Sequence, residues 1–229
     1  SWRLHRYRRQ KQFQGYLIWK FFSVLLENFH AKTGADLSLV VSDTTDMEML
    51  VLNHRTAPEV PVAWAVRMSM SIPFVWQEVV WRAEWGTYLG RSKAGNVIVD
   101  GGVLSNFPMR LIATSDESVR AIMGEASPSE ALNLGLMIDE NLPVPGALEA
   151  APPMASLVDF PAVRRVARLL DTMMGAWDSE MVRRFNAEIC RLPAKGYGVL
   201  EFDMDGVRLD RLLQAARESM AAHLRARLR

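Results

Sequence analysis

The stretch NVIVDGGVLSNFP, from Asn96 to Pro108, constrains the fold more than any other part of the chain. Val97, Ile98 and Val99 are three β-branched residues in a row, which favours a buried strand. They run directly into Asp100, Gly101 and Gly102. Asp-Gly occurs in plain turns, where the carboxylate caps the backbone two residues on. In layered α/β folds, however, functional side chains gather beyond strand ends, where loops converge on a ligand. Asp100 is therefore a candidate site residue, and Gly101 and Gly102 form its turn.

Strands and helices alternate around this point. Leu17, Ile18, Phe21, Phe22, Leu25, Leu26 and Phe29 make a helical apolar stripe. ADLSLVVSD reads as a strand, SDTTD as a turn and MEMLVLNH as a second strand. PVAWAVRMSMS reads as a short helix stopped by Pro73, FVWQEVVWR as an extended apolar piece, and NFPMRLIA as a helix start. ALNLGLMIDE looks like a buried strand, and residues 141–153 like a proline-rich loop. Val163, Val166, Leu169, Leu170 and Met173 form one later helical stripe; Met181, Val182, Phe185 and Ile189 form another. GYGVLEFDMD interposes a strand, and residues 207–229 close the chain as an amphipathic helix ending in Arg225, Arg227 and Arg229. The pattern predicts a single α/β domain over residues 1–229, with a layered sheet.

Composition narrows the function. A net charge of +1 gives no general attraction to nucleic acid. The run SWRLHRYRRQK makes residues 1–14 a basic amino-terminal segment, read as a solvated terminus or helix face. One cysteine, Cys190, rules out an internal disulfide and suits a reducing compartment, so a cytoplasmic location is expected. His5, His30, His54 and His223 are scattered, with no pair at metal-ligand spacing. No phosphate-binding or dinucleotide glycine pattern occurs. Neither a cofactor nor a metal is expected. The longest apolar stretch, GYLIWKFFSVLLENF, is interrupted by Lys20 and too short to span a bilayer.

Two blocks carry a resemblance. Ala65, Met68, Ser69, Ser71, Pro73, Phe74 and Trp76 fit a helix of the type A-x-x-A-S-x-S-x-P followed by an aromatic, with Met68 where alanine is commoner. Asp100, Gly101, Gly102, Asn106 and Pro108 fit a strand ending in D-G-G and a following N-x-P. In this order the blocks resemble the patatin-like phospholipase family, over a span from about Gly15 to near the end of the chain. The resemblance implies an α/β/α sandwich around a central, mostly parallel sheet, with amino-terminal strands missing here. It also implies hydrolysis of lipid acyl esters by a Ser-Asp dyad, with Asp100 as the catalytic base. A lipid ester is then the partner, and peripheral membrane contact is compatible with it. The chemistry suits the residue types. A serine hydroxyl needs a neighbouring base, and a partly desolvated carboxylate holds protons strongly enough to serve without histidine.

The family's nucleophile elbow, G-x-S-x-G, is absent; GEASP at Gly124–Pro128 lacks the last glycine and follows Asp100. The glycine-rich oxyanion segment is absent too. In the family's order both precede residue 1, and the chain begins Ser-Trp without an initiator methionine. The expectation is an enzyme whose first strands and elbow lie upstream, inactive as the 229 residues alone. The alternative is a non-catalytic lipid- or protein-binding relative. Ser69 and Ser71 are expected to cap and position. Trp76, Trp81, Trp85 and Tyr88 are expected in the core, with an acyl-chain route as the other reading.

Overall fold

The computed structural model describes residues 23–73, 75–104, 108–113, 116–125, 133–147, 182–197 and 204–227. The basic segment, the stripe from Leu17 to Phe22, Phe74, Asn106, the stripe from Val163 to Met173, Met181 and the strand expected near Val199 lie outside them. So does the proline-rich piece beyond Ala147. The described residues are mixed α/β and divide between two compact units, 1–126 and 127–229. None of their helices is long and apolar enough to cross a membrane.

The first unit is built on a hairpin. β1 (Leu39–Asp43) and β2 (Glu48–Leu52) pair antiparallel, with Leu39 opposite Leu52 and Asp43 opposite Glu48. Their turn is closed by Asp43, whose carboxylate accepts from the amides of Thr45 at 3.0 Å and Asp46 at 3.1 Å. α1 (Leu26–Thr33) precedes the hairpin and ends at Gly34, whose φ of +69° suits glycine and whose N–H donates to the His30 carbonyl at 2.8 Å. Leu25 stands just outside this helix in a β-bridge to Pro61. α2 (Val62–Ser69) follows Pro61 and buries Val62, Ala65 and Met68, spaced on one face.

Two short strands, β3 (Val79–Val80) and β4 (Thr87–Tyr88), lead to β5 (Arg91–Ser92), which pairs with β4. β6 (Val97–Asp100) then enters the main sheet between β1 and β3, giving the order β2-β1-β6-β3. All three pairings in this sheet are antiparallel. The mostly parallel sheet of the sequence reading is therefore not what these residues build. A four-residue turn between β1 and β2 leaves no length for the crossover that parallel neighbours require.

Leu26, Val41, Leu50, Leu52, Val60, Ala65, Met68 and Ile98 form the core, and Trp81, Trp85 and Tyr88 belong to it. The core reading of these aromatics holds, while Trp76 is 39 % exposed. The Tyr88 hydroxyl accepts from the Val51 amide at 3.2 Å, and burial pushes its pKa up. Lys93 is buried beside three carboxylates: Asp43 at 3.1 Å, Asp46 at 2.6 Å and Glu48. Against the opposing effect of burial, these bonds raise the lysine pKa and lower those of Asp46 and Glu48, while Asp43 is lowered first by the Asn96 hydrogen bond, then by the Asp46 amide and Lys93. α3 (Arg110–Ala113) and α4 (Glu117–Met123) complete the unit.

In the second unit, β7 (Gly135–Pro143) pairs parallel with β8 (Ile189–Lys195). β7 is covered on one face only: Gly135 and Asp139 are buried, but Leu136 is 53 % and Ile138 73 % exposed. The buried strand expected there is thus buried at Gly135 and Asp139 only, and the expected loop from residue 141 starts after Pro143. Val182 is helical, and Ile189 begins β8 rather than ending a helix. Cys190 is a buried thiol on that strand, its pKa raised by burial. α5 (Gly206–Arg227) places Ala215 against Val144 and Tyr197, and the Tyr197 hydroxyl donates to the Arg208 carbonyl at 3.2 Å.

Candidate active site

Asp100 ends an interior strand, and three local features set its side chain. Its backbone faces Val41 across the sheet, and its N–H donates to the Ser71 carbonyl at 3.0 Å. Its Oδ1 accepts from the Gly102 amide at 2.7 Å, capping a 3-10 turn over Gly101–Val103. The plain turn-capping role is therefore real, but it uses one oxygen. Oδ2 accepts no hydrogen bond from the described residues.

The two glycines differ in what they allow. A Cβ on Gly101 would lie 2.4 Å from the Val40 carbonyl oxygen, so the turn packs directly on β1. This glycine makes room for the protein's own backbone. Gly102 contributes the amide that holds the carboxylate.

The side chain is half-buried. Burial pushes its pKa above the ordinary value, and the Gly102 hydrogen bond pulls part of the way back. The carboxylate opens into a cleft of about 310 Å³, lined by Ser38, Leu39 and Val40 on one side and by Ser69, Gly101, Gly102 and Pro108 on the others. This is at the small end of ligand-binding volumes.

Both sequence blocks meet here. Ser69, at the end of α2, lines the cleft; Ser71 is buried just behind. The Ser71 hydroxyl donates to the Arg67 carbonyl at 2.6 Å and accepts from the Arg67 guanidinium, which also donates to the Gln77 carbonyl at 2.8 Å. Ser71 thus fixes the turn whose carbonyl receives the Asp100 amide, a positioning role. Neither Ser38 nor Ser69 hydrogen-bonds to the Asp100 carboxylate; the Ser38 hydroxyl accepts from the Asn53 amide group at 3.1 Å. Trp81, Trp85 and Tyr88 do not line the cleft, which removes them from the acyl-route reading.

Residues 7–113 match the patatin-like phospholipase family. The match contains the D-G-G turn, helix α2 and the whole antiparallel sheet. The chain is also 36 % identical over 134 residues to "Uncharacterized protein YqhO" of Bacillus subtilis (strain 168). That alignment covers 54 % of this chain and 40 % of the relative, so the chain spans less than half of the curated relative's length.

Sequence reasoning missed the convergence of His30, Asp36 and His54 on the same unit. One ligand atom from each lies within 4.8 Å of the other two. His30 and His54 are 24 positions apart, a spacing that no local metal motif contains.

Proposed function

We propose that this chain carries the base half of a Ser-Asp lipid acyl hydrolase, with Asp100 as the base and the nucleophilic serine contributed from outside these 229 residues. One observation carries the reading: a half-buried carboxylate of raised pKa stands at the end of an interior strand, one oxygen tied to Gly102, in a residue that lines a cleft. Patatin-like sequence around that cleft supports it. A layered α/β/α sandwich with further parallel strands is the architecture this reading entails.

In this mechanism Oδ2 of Asp100 takes the serine proton as the hydroxyl oxygen attacks the acyl carbon. The proton then passes to the departing alcohol oxygen as the ester C–O bond breaks. Water repeats the cycle: Asp100 removes its proton, the acyl-serine bond breaks, and the serine regains a proton from Asp100. The hydrogen bond from Gly102 keeps the carboxylate from rotating, and partial desolvation keeps it basic. The substrate is a phospholipid or similar ester, met at a membrane surface by peripheral contact.

The test is hydrolysis by a chain extended upstream through the serine elbow, with and without Asp100→Asn. Loss of the general base is expected to lower the rate by about 10²- to 10⁴-fold. A folded Asp100→Asn protein that keeps most of its activity overturns the role. An extended wild-type protein that binds lipid vesicles without hydrolysing them supports the non-catalytic reading.

A further inference from the structure

We propose that His30, Asp36 and His54 form a binding site for a divalent transition-metal ion of the zinc type, with two imidazoles and one carboxylate as protein ligands. The site does not line the Asp100 cleft and does not depend on the hydrolase reading.

Three separate pieces of chain build it. His30 lies in the last turn of α1, just before the Gly34 cap. Asp36 stands in the extended segment that leads to Ser38 and β1. His54 sits in the turn after β2, which Asn53 secures by accepting from the amides of Arg55 at 2.9 Å and Thr56 at 3.0 Å. Asn53 also donates to Ser38 and to the Ile122 carbonyl, so the His54 turn is anchored from two sides.

The two separations from Asp36 suit tetrahedral coordination, and the third lies within 4.8 Å. The Asp36 Oδ1 is 3.0 Å from His30 Nδ1 and 3.2 Å from His54 Nδ1. Metal–ligand bonds of about 2.0–2.1 Å at tetrahedral angles put neighbouring ligand atoms about 3.3 Å apart. Arg55 donates to the other Asp36 oxygen, Oδ2, at 3.3 Å, which leaves Oδ1 facing both rings. Such an outer partner is the usual way a ligating carboxylate is oriented.

His54 supplies the strongest sign. Its Nδ1 is buried and, despite its nearness to Asp36, has no hydrogen bond of acceptable geometry. A buried polar atom left unpaired is costly, and a metal would satisfy it. The rings lie stacked, 3.7 Å between centroids and 2° from parallel. Parallel rings aim their lone pairs in separate planes, so closure on a metal tilts His30, the more exposed ring. His30 Nδ1 also lies 3.2 Å from the Ala35 carbonyl; on metal binding its proton moves to Nε2.

The experiment is a Co²⁺ titration of the untagged full chain near neutral pH, read by visible d–d absorption, with Zn²⁺ as competitor. Saturation at one Co²⁺ per chain and bleaching by Zn²⁺ are expected. Asp36→Asn and His54→Ala should each weaken binding by at least about tenfold, the cost of losing even an outer-shell partner. If circular dichroism shows His54→Ala to be unfolded, His30→Gln on the exposed ring takes its place with the same expectation. Absence of saturable absorption, or binding unchanged in the folded variants, overturns the site.

Discussion

The backbone N–H of Asp100 donates to the carbonyl of Ser71 at 3.0 Å, and this bond joins the two sequence blocks that flank the cleft. The strand end is thereby held by the turn that follows α2, and that turn is held by Arg67. Ser71→Ala removes a buried hydroxyl with two partners. A loss of about 1–3 kcal/mol is expected from urea unfolding, because the Arg67 carbonyl and one guanidinium nitrogen lose their Ser71 partner while the Gln77 bond remains. An unchanged unfolding midpoint would show that the turn holds without the hydroxyl.

Gly101→Ala tests the packing of the turn on β1. The new methyl would meet the Val40 carbonyl at 2.4 Å, and backbone has little room to yield. Overpacking of this kind costs about 1–3 kcal/mol. Thermal unfolding of the single variant checks it, and a variant as stable as wild type contradicts the close approach.

Asp100 also predicts a pH dependence. Folding raises its pKa above the ordinary 3.8, so the charged form is the one that folding disfavours. Its contribution to stability is full below the unfolded value and is lost as pH rises through the folded one. Asp100→Asn should then be at least as stable as wild type at pH 7, with the advantage disappearing below about pH 4. In the extended enzyme the base must be ionised, so kcat/KM should fall on the acid side at a pH above the usual carboxylate range. Denaturant melts across pH and a pH–rate profile read the two effects separately.

Lys93→Met would leave Asp43 buried without its cation. Breaking such a pair costs about 3–5 kcal/mol at neutral pH. The acids it serves have lowered pKa values, so their stabilising contribution is present above their ordinary values of 3.8 and 4.5 and is lost as pH falls through the folded ones. The deficit of Lys93→Met should therefore narrow in acid. A deficit that is constant from pH 7 to pH 3 would assign the loss to packing instead.

Much of the first unit was legible in sequence because its signals are local. SDTTD closes the β1–β2 hairpin, Pro73 follows the end of α2, and the β-branched run at 97–99 is an interior strand. What escaped detection depends on chain pieces that meet only in space. The stacking of His30 on His54 is set by the Gly34 cap and the Asn53 turn, neither of which shows in histidine spacing. The demand for glycine at 101 comes from Val40, sixty-one positions earlier, and not from a ligand. The mostly parallel sheet was implied by the family resemblance, whereas the short hairpin dictates the antiparallel pairing of β1 and β2. Ile189 continued a helical period for one step too many, since one apolar residue fits either repeat.

The antiparallel register at the cleft makes the chain unequally sensitive to two kinds of genetic change. Val41 opposes Asp100, Ser42 opposes Val99 and Asp43 opposes Ile98. Because side chains alternate across a strand, a single inserted or deleted residue near Gly95 would turn every β6 side chain to the opposite face. The carboxylate would then leave the face it shares with Ile98, and Val97 and Val99 would take that face. Most exchanges of one residue for another in that loop leave the alternation untouched. In a mutational survey, the segment between Lys93 and Asn96 should therefore reject changes of length even at Ala94, whose side chain makes no bond that the sheet depends on.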